Sequence, residues 1–194
     1  MGSNLDRKFP PRPLTPVEAN GLLSAAQSKR DKSLLILMWR CGLRCSEAVS
    51  LDLEHVRFEA DATARIYVNK PKGLLSGVPP RTMGMDKRSA SHLRTWVHSR
   101  GSHPGPFLST RGGGRLSTSH CRRLVTRLGR SARIRHRVHP HGLRHTFAAE
   151  LYAEGLGIRH IQVALGHSTL ATTELYLTSI GSNETNDALI KREW

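Results

Sequence analysis

Near the end of the chain stand His141, Arg144, His167 and Tyr176, a set of side chains suited to one chemistry. A phenol can attack a phosphodiester, imidazoles can move the protons, and cationic donors can hold the phosphate oxygens. His141 and Arg144 are three apart, so a helix projects both from one face. Pro140 suits the first turn of that helix, where a missing N–H costs nothing. Gly155, Gly157 and Gly166 then mark two helix stops. The pattern predicts helices at about 140–154, 158–165 and 169–179, folded into a cluster around one point. Taken alone, Tyr176 would read as half-buried packing and His167, after Gly166, as a helix cap. Only the set points to chemistry.

Other elements must complete the site. Residues 4–13, with Pro10, Pro11 and Pro13, form an extended lead-in, and Met1-Gly2-Ser3 reads as a tag remnant. Thr15-Pro16-Val17-Glu18 is a capping box that opens a helix reaching about Ala26. Residues 33–40 read as a strongly apolar helix closed by Gly42. Arg44 falls at the tight join into a short helix, which Ser46 would cap and Glu47 would favour by its charge. An arginine fixed on such a join suits a phosphate clamp; alone, it would read as an ion pair with Glu47 or Asp52. Three short strands follow, near Val56, at 65–69 and at 81–85, giving a small antiparallel sheet with a Gly/Pro-rich loop at 71–80. An amphipathic helix at 89–100 carries Leu93, Trp96 and Val97 inward, and Phe107-Leu108 anchors the loop after it. Ser117 or Thr118 caps a further helix with the stripe Cys121, Leu124, Val125 and Leu128. Arg122, Arg123, Arg127 and Arg130 cover its other sides, a geometry for lying along a DNA backbone. The class is α+β, mainly helical.

Charge narrows the partners. The chain has 194 residues and a formal charge of +15, and no carboxylate lies between Asp86 and Glu150. A field of this sign draws in a polyanion, and a solubility surface would not exclude every acid over such a span. A membrane surface fits poorly, because the basic segment lacks a large apolar face, and no apolar run is long enough to span a bilayer. Cys41, Cys45 and Cys121 lack zinc spacing and read as reduced thiols in a cytoplasmic setting. Arginines around His136, His139, His141 and His145 would repel a metal cation, so no metal is expected. Gly112-Gly113-Gly114 lacks a following Gly-Lys-Ser/Thr, so no nucleotide cofactor is implied.

The boxes carry a resemblance. His141-x-x-Arg144, Leu165-Gly166-His167 and a tyrosine nine residues past that histidine are similar to the C-terminal motif of the tyrosine recombinases, the phage-integrase family. Gly42-Leu43-Arg44-Cys45-Ser46-Glu47 resembles that family's first arginine box, and the order and separation of the boxes match as well. The resemblance covers roughly residues 14–179. It implies a helical catalytic domain at 14–180 and a site-specific recombinase that cleaves and rejoins duplex DNA through a 3′-phosphotyrosine. No cofactor is needed, because the covalent link conserves the bond energy.

By the same resemblance, Arg44 and Arg144 clamp the phosphate and His141 accepts the proton of Tyr176, the nucleophile. His167 hydrogen-bonds a phosphate oxygen, and Glu47 braces Arg44 or a histidine. Lys70, with Lys72 as the alternative, protonates the leaving 5′-oxygen from the hairpin. The family also implies self-association as a dimer or tetramer on DNA, association with the nucleoid, and a tail at 181–194 that docks on a neighbouring subunit or frays. It usually carries an N-terminal helical domain, so the chain reads as an excised catalytic domain or a naturally minimal one. A type IB topoisomerase-like relaxing enzyme shares the chemistry, although Leu165-Gly166-His167 favours a recombinase. A DNA-binding module without catalysis is the remaining alternative.

Overall fold

A computed structural model describes residues 12–69 and 80–166. Lys70, Lys72, His167, Tyr176, the helix expected at 169–179 and the tail at 181–194 lie outside the described residues.

Helix α1 (Pro16–Ala25) begins as its capping box requires. The Thr15 hydroxyl accepts from the Glu18 amide at 3.2 Å, and the Thr15 amide donates to the Glu18 carboxylate at 2.9 Å. Helix α2 (Lys29–Arg40) starts four residues before the apolar run suggests, because the Ser28 side chain accepts from the Asp31 amide and caps a polar first turn. Residues 34–39 are buried, and α2 packs against α1, α3, α4 and α6 at the centre of the molecule. Helix α3 (Cys45–Ser50) is capped at Arg44 rather than Ser46. There the Glu47 carboxylate reaches back to the Arg44 amide at 2.7 Å.

A 3-10 turn at Leu53–His55 leads into three antiparallel strands, β1 (Val56–Phe58), β2 (Ala64–Val68) and β3 (Arg81–Met85), in that spatial order. Val68 pairs with Arg81 and Ile66 with Met83, so Arg81, Met83 and Met85 share one face of β3. Helix α4 (Lys87–Arg100), capped by Asp86, packs on α2. Phe107 and Leu108 are fully buried, and the Phe107 amide donates to the Leu51 carbonyl. Helices α5 (Thr118–Ser131), α6 (Pro140–Ala153) and α7 (Ile158–Leu165) complete the described chain. On the outer side, Glu150 of α6 accepts from Trp39 Nε1 and Arg40 Nη1, tying α6 to α2. The three cysteines are free thiols, and burial pushes Cys41 up to about 12, which leaves it inert at neutral pH. Among the described residues, no helix is long and apolar enough to cross a membrane.

The turn from α2 to α3 depends on Gly42, whose φ of +58° lies in the left-handed region. A Cβ placed there would overlap the Phe147 ring of α6. Gly42→Ala is expected to destabilise the fold by about 3 kcal/mol, combining backbone strain with overpacking. Denaturant unfolding with an unchanged midpoint would contradict that assignment.

Candidate active site

The turn at Gly42 delivers Arg44 to the rim of a cleft of about 260 Å³ between the start of α3, the first turns of α5 and the start of α6. Arg44, Ser46, Thr118, Arg122, Arg137, His139, His141 and Arg144 line it. Four of these are arginines, and no carboxylate is among the described lining residues. An anion would enter a positive field with low-dielectric walls, where each interaction is stronger than in water.

The two arginines differ in exposure. Arg144 is buried, its side chain 5% exposed, while that of Arg44 is 29% exposed. Arg144 Nη1 donates to the Gly42 carbonyl at 2.6 Å, and Nη2 donates to the Leu165 carbonyl. Arg44 Nη1 meets Glu47 Oε1 at 3.1 Å, and its Nη2 donates to the Gly166 carbonyl at 3.3 Å. Arg144 Nη1 lies 3.7 Å from the other Glu47 oxygen. One carboxylate therefore stands between two guanidinium groups from distant parts of the chain.

Glu47 has a third cationic neighbour. Arg81, at the start of β3, places Nη1 and Nη2 at 3.0 and 2.9 Å from the two Glu47 oxygens, and its Nε donates to the Ala164 carbonyl at 2.9 Å. Burial pushes the Glu47 carboxyl up, but the Arg81 hydrogen bonds and charge, the Arg44 amide and the Arg144 charge together hold it below its usual range. It is ionised at neutral pH. The carbonyls of Ala164, Leu165 and Gly166 each accept from one of the three arginines. These belong to the C-terminal end of α7, where unpaired carbonyls and the negative end of the helix dipole favour cations.

His141 sits at the mouth of the cleft, exposed overall but with part of its ring covered. That partial burial lowers its pKa from 6.5, and the charges of Arg144, Arg44 and Arg122 act in the same direction. The ring is therefore neutral at physiological pH and able to accept a proton. Because the unfolded chain binds this proton more readily, stability falls as pH drops from 6.5 through the lower folded value. Any reaction using His141 as base should lose rate on acidification with an inflection below 6.5 in the free protein. A rate profile at sub-saturating DNA with its inflection above 6.5 would remove His141 from that role.

His139, which no motif in the sequence requires, has a structural place and a second one. It caps α6, its Nδ1 accepting from the Gly142 amide at 3.3 Å, and it also lines the cleft. The ion pair considered between Arg44 and Glu47 is present, while Asp52 pairs with Arg115 at 2.6 Å instead. Arg123, Arg127 and Arg130 are exposed along α5 outside the cleft lining, and Arg122 turns into it. Arg81 is the residue that sequence reasoning misses altogether. Its signal is a charged residue in register with the inward-facing Met83 and Met85.

Comparison with known proteins matches residues 12–181 to the family described as "Phage integrase family". A tyrosine recombinase of Pseudothermotoga lettingae is 34% identical over 181 residues, covering 92% of this chain and 59% of that protein. The tyrosine recombinase XerA of Thermococcus kodakarensis is 36% identical over 171 residues, covering 86% of this chain and 57% of that protein. The chain thus spans somewhat over half the length of these relatives. The crystal structure of an XerA recombinase superposes with a TM-score of 0.78 at 25% identity, over 100% of this chain and 66% of that one. With the boxes in order, the mainly helical fold with its three-stranded sheet, and a family match across most of its length, the chain belongs to the phage integrase family and has the catalytic-domain fold of the tyrosine recombinases.

Proposed function

We propose that this chain cleaves and rejoins duplex DNA at a specific site through a covalent 3′-phosphotyrosine. The observation that carries the reading is the convergence of Arg44, Arg144 and His141 on one basic cleft, with Glu47 behind the arginines. The Tyr176 oxygen attacks phosphorus, and His141 takes its proton. The bond from phosphorus to the 5′-oxygen breaks, and Lys70, or Lys72 in its place, protonates the leaving 5′-oxygen to give a free hydroxyl. Arg44 and Arg144 hold the non-bridging oxygens as charge builds on them, and His167 donates a further hydrogen bond. A 5′-hydroxyl from a second strand then reverses the step. The catalytic unit runs over 14–180, and the tail at 181–194 docks on a neighbouring copy in a dimer or tetramer assembled on DNA. On this reading the protein works in the cytoplasm, on the nucleoid when DNA is bound.

The decisive experiment incubates the chain with a pool of nicked duplexes of randomised sequence, resolved on a denaturing gel. A covalent protein–DNA adduct is expected, and sequencing the captured strand identifies the site. Retardation on a native gel without any adduct would reduce the chain to a DNA-binding module. Relaxation of supercoils without strand exchange would instead make it a topoisomerase-like enzyme.

Binding to DNA by this chain is expected to be weak and steeply salt-dependent, because exposed arginines on α5 meet phosphates rather than bases. Replacing Arg127 and Arg130 with alanine should flatten the plot of log affinity against log salt by about 0.9 for each phosphate that is no longer neutralised. An unchanged slope would take α5 off the DNA.

A further inference from the structure

We propose that Arg81 is a positioning residue for the phosphate clamp, holding Glu47 in the one orientation that keeps Arg44 and Arg144 converged. The proposal rests on reading those two arginines as a clamp and adds a residue outside every motif of the sequence.

Three observations support it. Arg81 is buried, its side chain 7% exposed, yet all three of its guanidinium nitrogens have partners. Two of them form a fork on the two Glu47 oxygens, a geometry that fixes the plane of the carboxylate and that lysine cannot reproduce. With its plane set, Glu47 offers one oxygen to Arg44 Nη1 and the other to the Arg44 amide, so the Arg44 backbone and side chain are referenced to Arg81. The third nitrogen reaches the Ala164 carbonyl, beside the Leu165 and Gly166 carbonyls that hold Arg144 and Arg44. A single side chain thus ties the sheet, α3 and the end of α7 together.

Charge supports the same assignment. Without Arg81 the buried Glu47 carboxylate would lose the guanidinium that meets both of its oxygens, and only Arg44 and Arg144 would remain to balance its charge. Arg81 also pairs with Val68 at the end of the ladder between β2 and β3. The end of that ladder and the clamp therefore share one reference.

The test is a mutant cycle of Arg81→Ala, Arg81→Lys, Glu47→Gln and the Arg81→Ala/Glu47→Gln double variant. The readout is the single-turnover rate of adduct formation on the nicked duplex pool, with native-gel retardation in parallel. Both Arg81 variants are expected to slow the adduct about a hundredfold, as small displacements of a clamp do, while retardation stays near native. The double variant should be no slower than the slower single variant, because both residues act through one interaction. A native rate in Arg81→Ala, or losses that multiply in the double variant, would overturn the proposal; multiplied losses would mark Arg81 as packing alone. Should Arg81→Ala fail to fold, Arg81→Lys and the Arg81→Lys/Glu47→Gln double variant carry the same cycle. If the native chain forms no adduct, the recombinase reading fails and inorganic phosphate decides this one. Its titration against the Arg44 Nε signal should weaken about tenfold in both Arg81 variants and no further with Glu47→Gln added. Unchanged phosphate affinity would refute the role of Arg81 in that case too.

Discussion

Tyr176→Phe is expected to abolish the covalent adduct while leaving DNA retardation at the native level. Phenylalanine keeps the ring but has no oxygen to form a bond with phosphorus, so no weaker version of the same step exists. The cationic groups of the cleft are untouched, and affinity for the backbone, which on the proposed reading resides in the arginines, should persist. A phenol has a pKa near about 10, so the native tyrosine needs both a base and positive charge on the phosphate to react at neutral pH. Residual strand scission by water in the variant would leave the clamp reading intact. A persistent protein–DNA adduct would move the nucleophile to another residue and sink the assignment of Tyr176.

Arg144→Ala should combine a large loss of rate with a loss of stability. Removing one clamp arginine raises the barrier by about 3 kcal/mol, roughly a hundredfold in rate. The same substitution strips the buried Gly42 and Leu165 carbonyls of a donor and takes a cation from Glu47. Breaking a buried, hydrogen-bonded charge cluster by removing one partner costs about 3 kcal/mol or more of stability. Arg144→Lys separates the two effects. Lysine keeps a charge but cannot span the carbonyls of Gly42 and Leu165, so the rate should fall nearly as far while the unfolding midpoint falls less. Native-like cleavage by Arg144→Lys would show that a point charge suffices and that the fork has no part in the chemistry.

Much of this is written locally in the chain. Thr15, Asp86 and Ser117 cap helices through hydrogen bonds to amides three residues on, and the strands around Ile66 and Met83 alternate as a half-buried sheet must. The boxes around Arg44 and Arg144 are legible for the same reason: each is a short run with fixed spacing. What escapes is long-range. Whether Glu47 serves Arg44 or a histidine cannot be read from a run in which only Arg44 is nearby; the fold adds Arg81 and Arg144 from 34 and 97 positions away. Ser28 escapes because the polar first turn of α2 hides beside an apolar run that draws the eye to residue 33. His139 escapes because the motif does not require it, although its position before α6 makes it both cap and wall. The roles of Lys70, Lys72, His167 and Tyr176 rest on sequence.

The meeting of three arginines, one glutamate and the end of α7 has an electrical consequence. Three unit positive charges are offset by one carboxylate and by about half a charge from the helix terminus, leaving a surplus of about +1.5. Arg122 and Arg137 on the cleft wall add to it. On the proposed reading, a field of that size goes on attracting as negative charge builds on phosphorus, instead of saturating on a resting phosphodiester with about one negative charge. Oxyanions of higher charge should accordingly bind in the cleft more tightly than singly charged ones, sulfate ahead of nitrate.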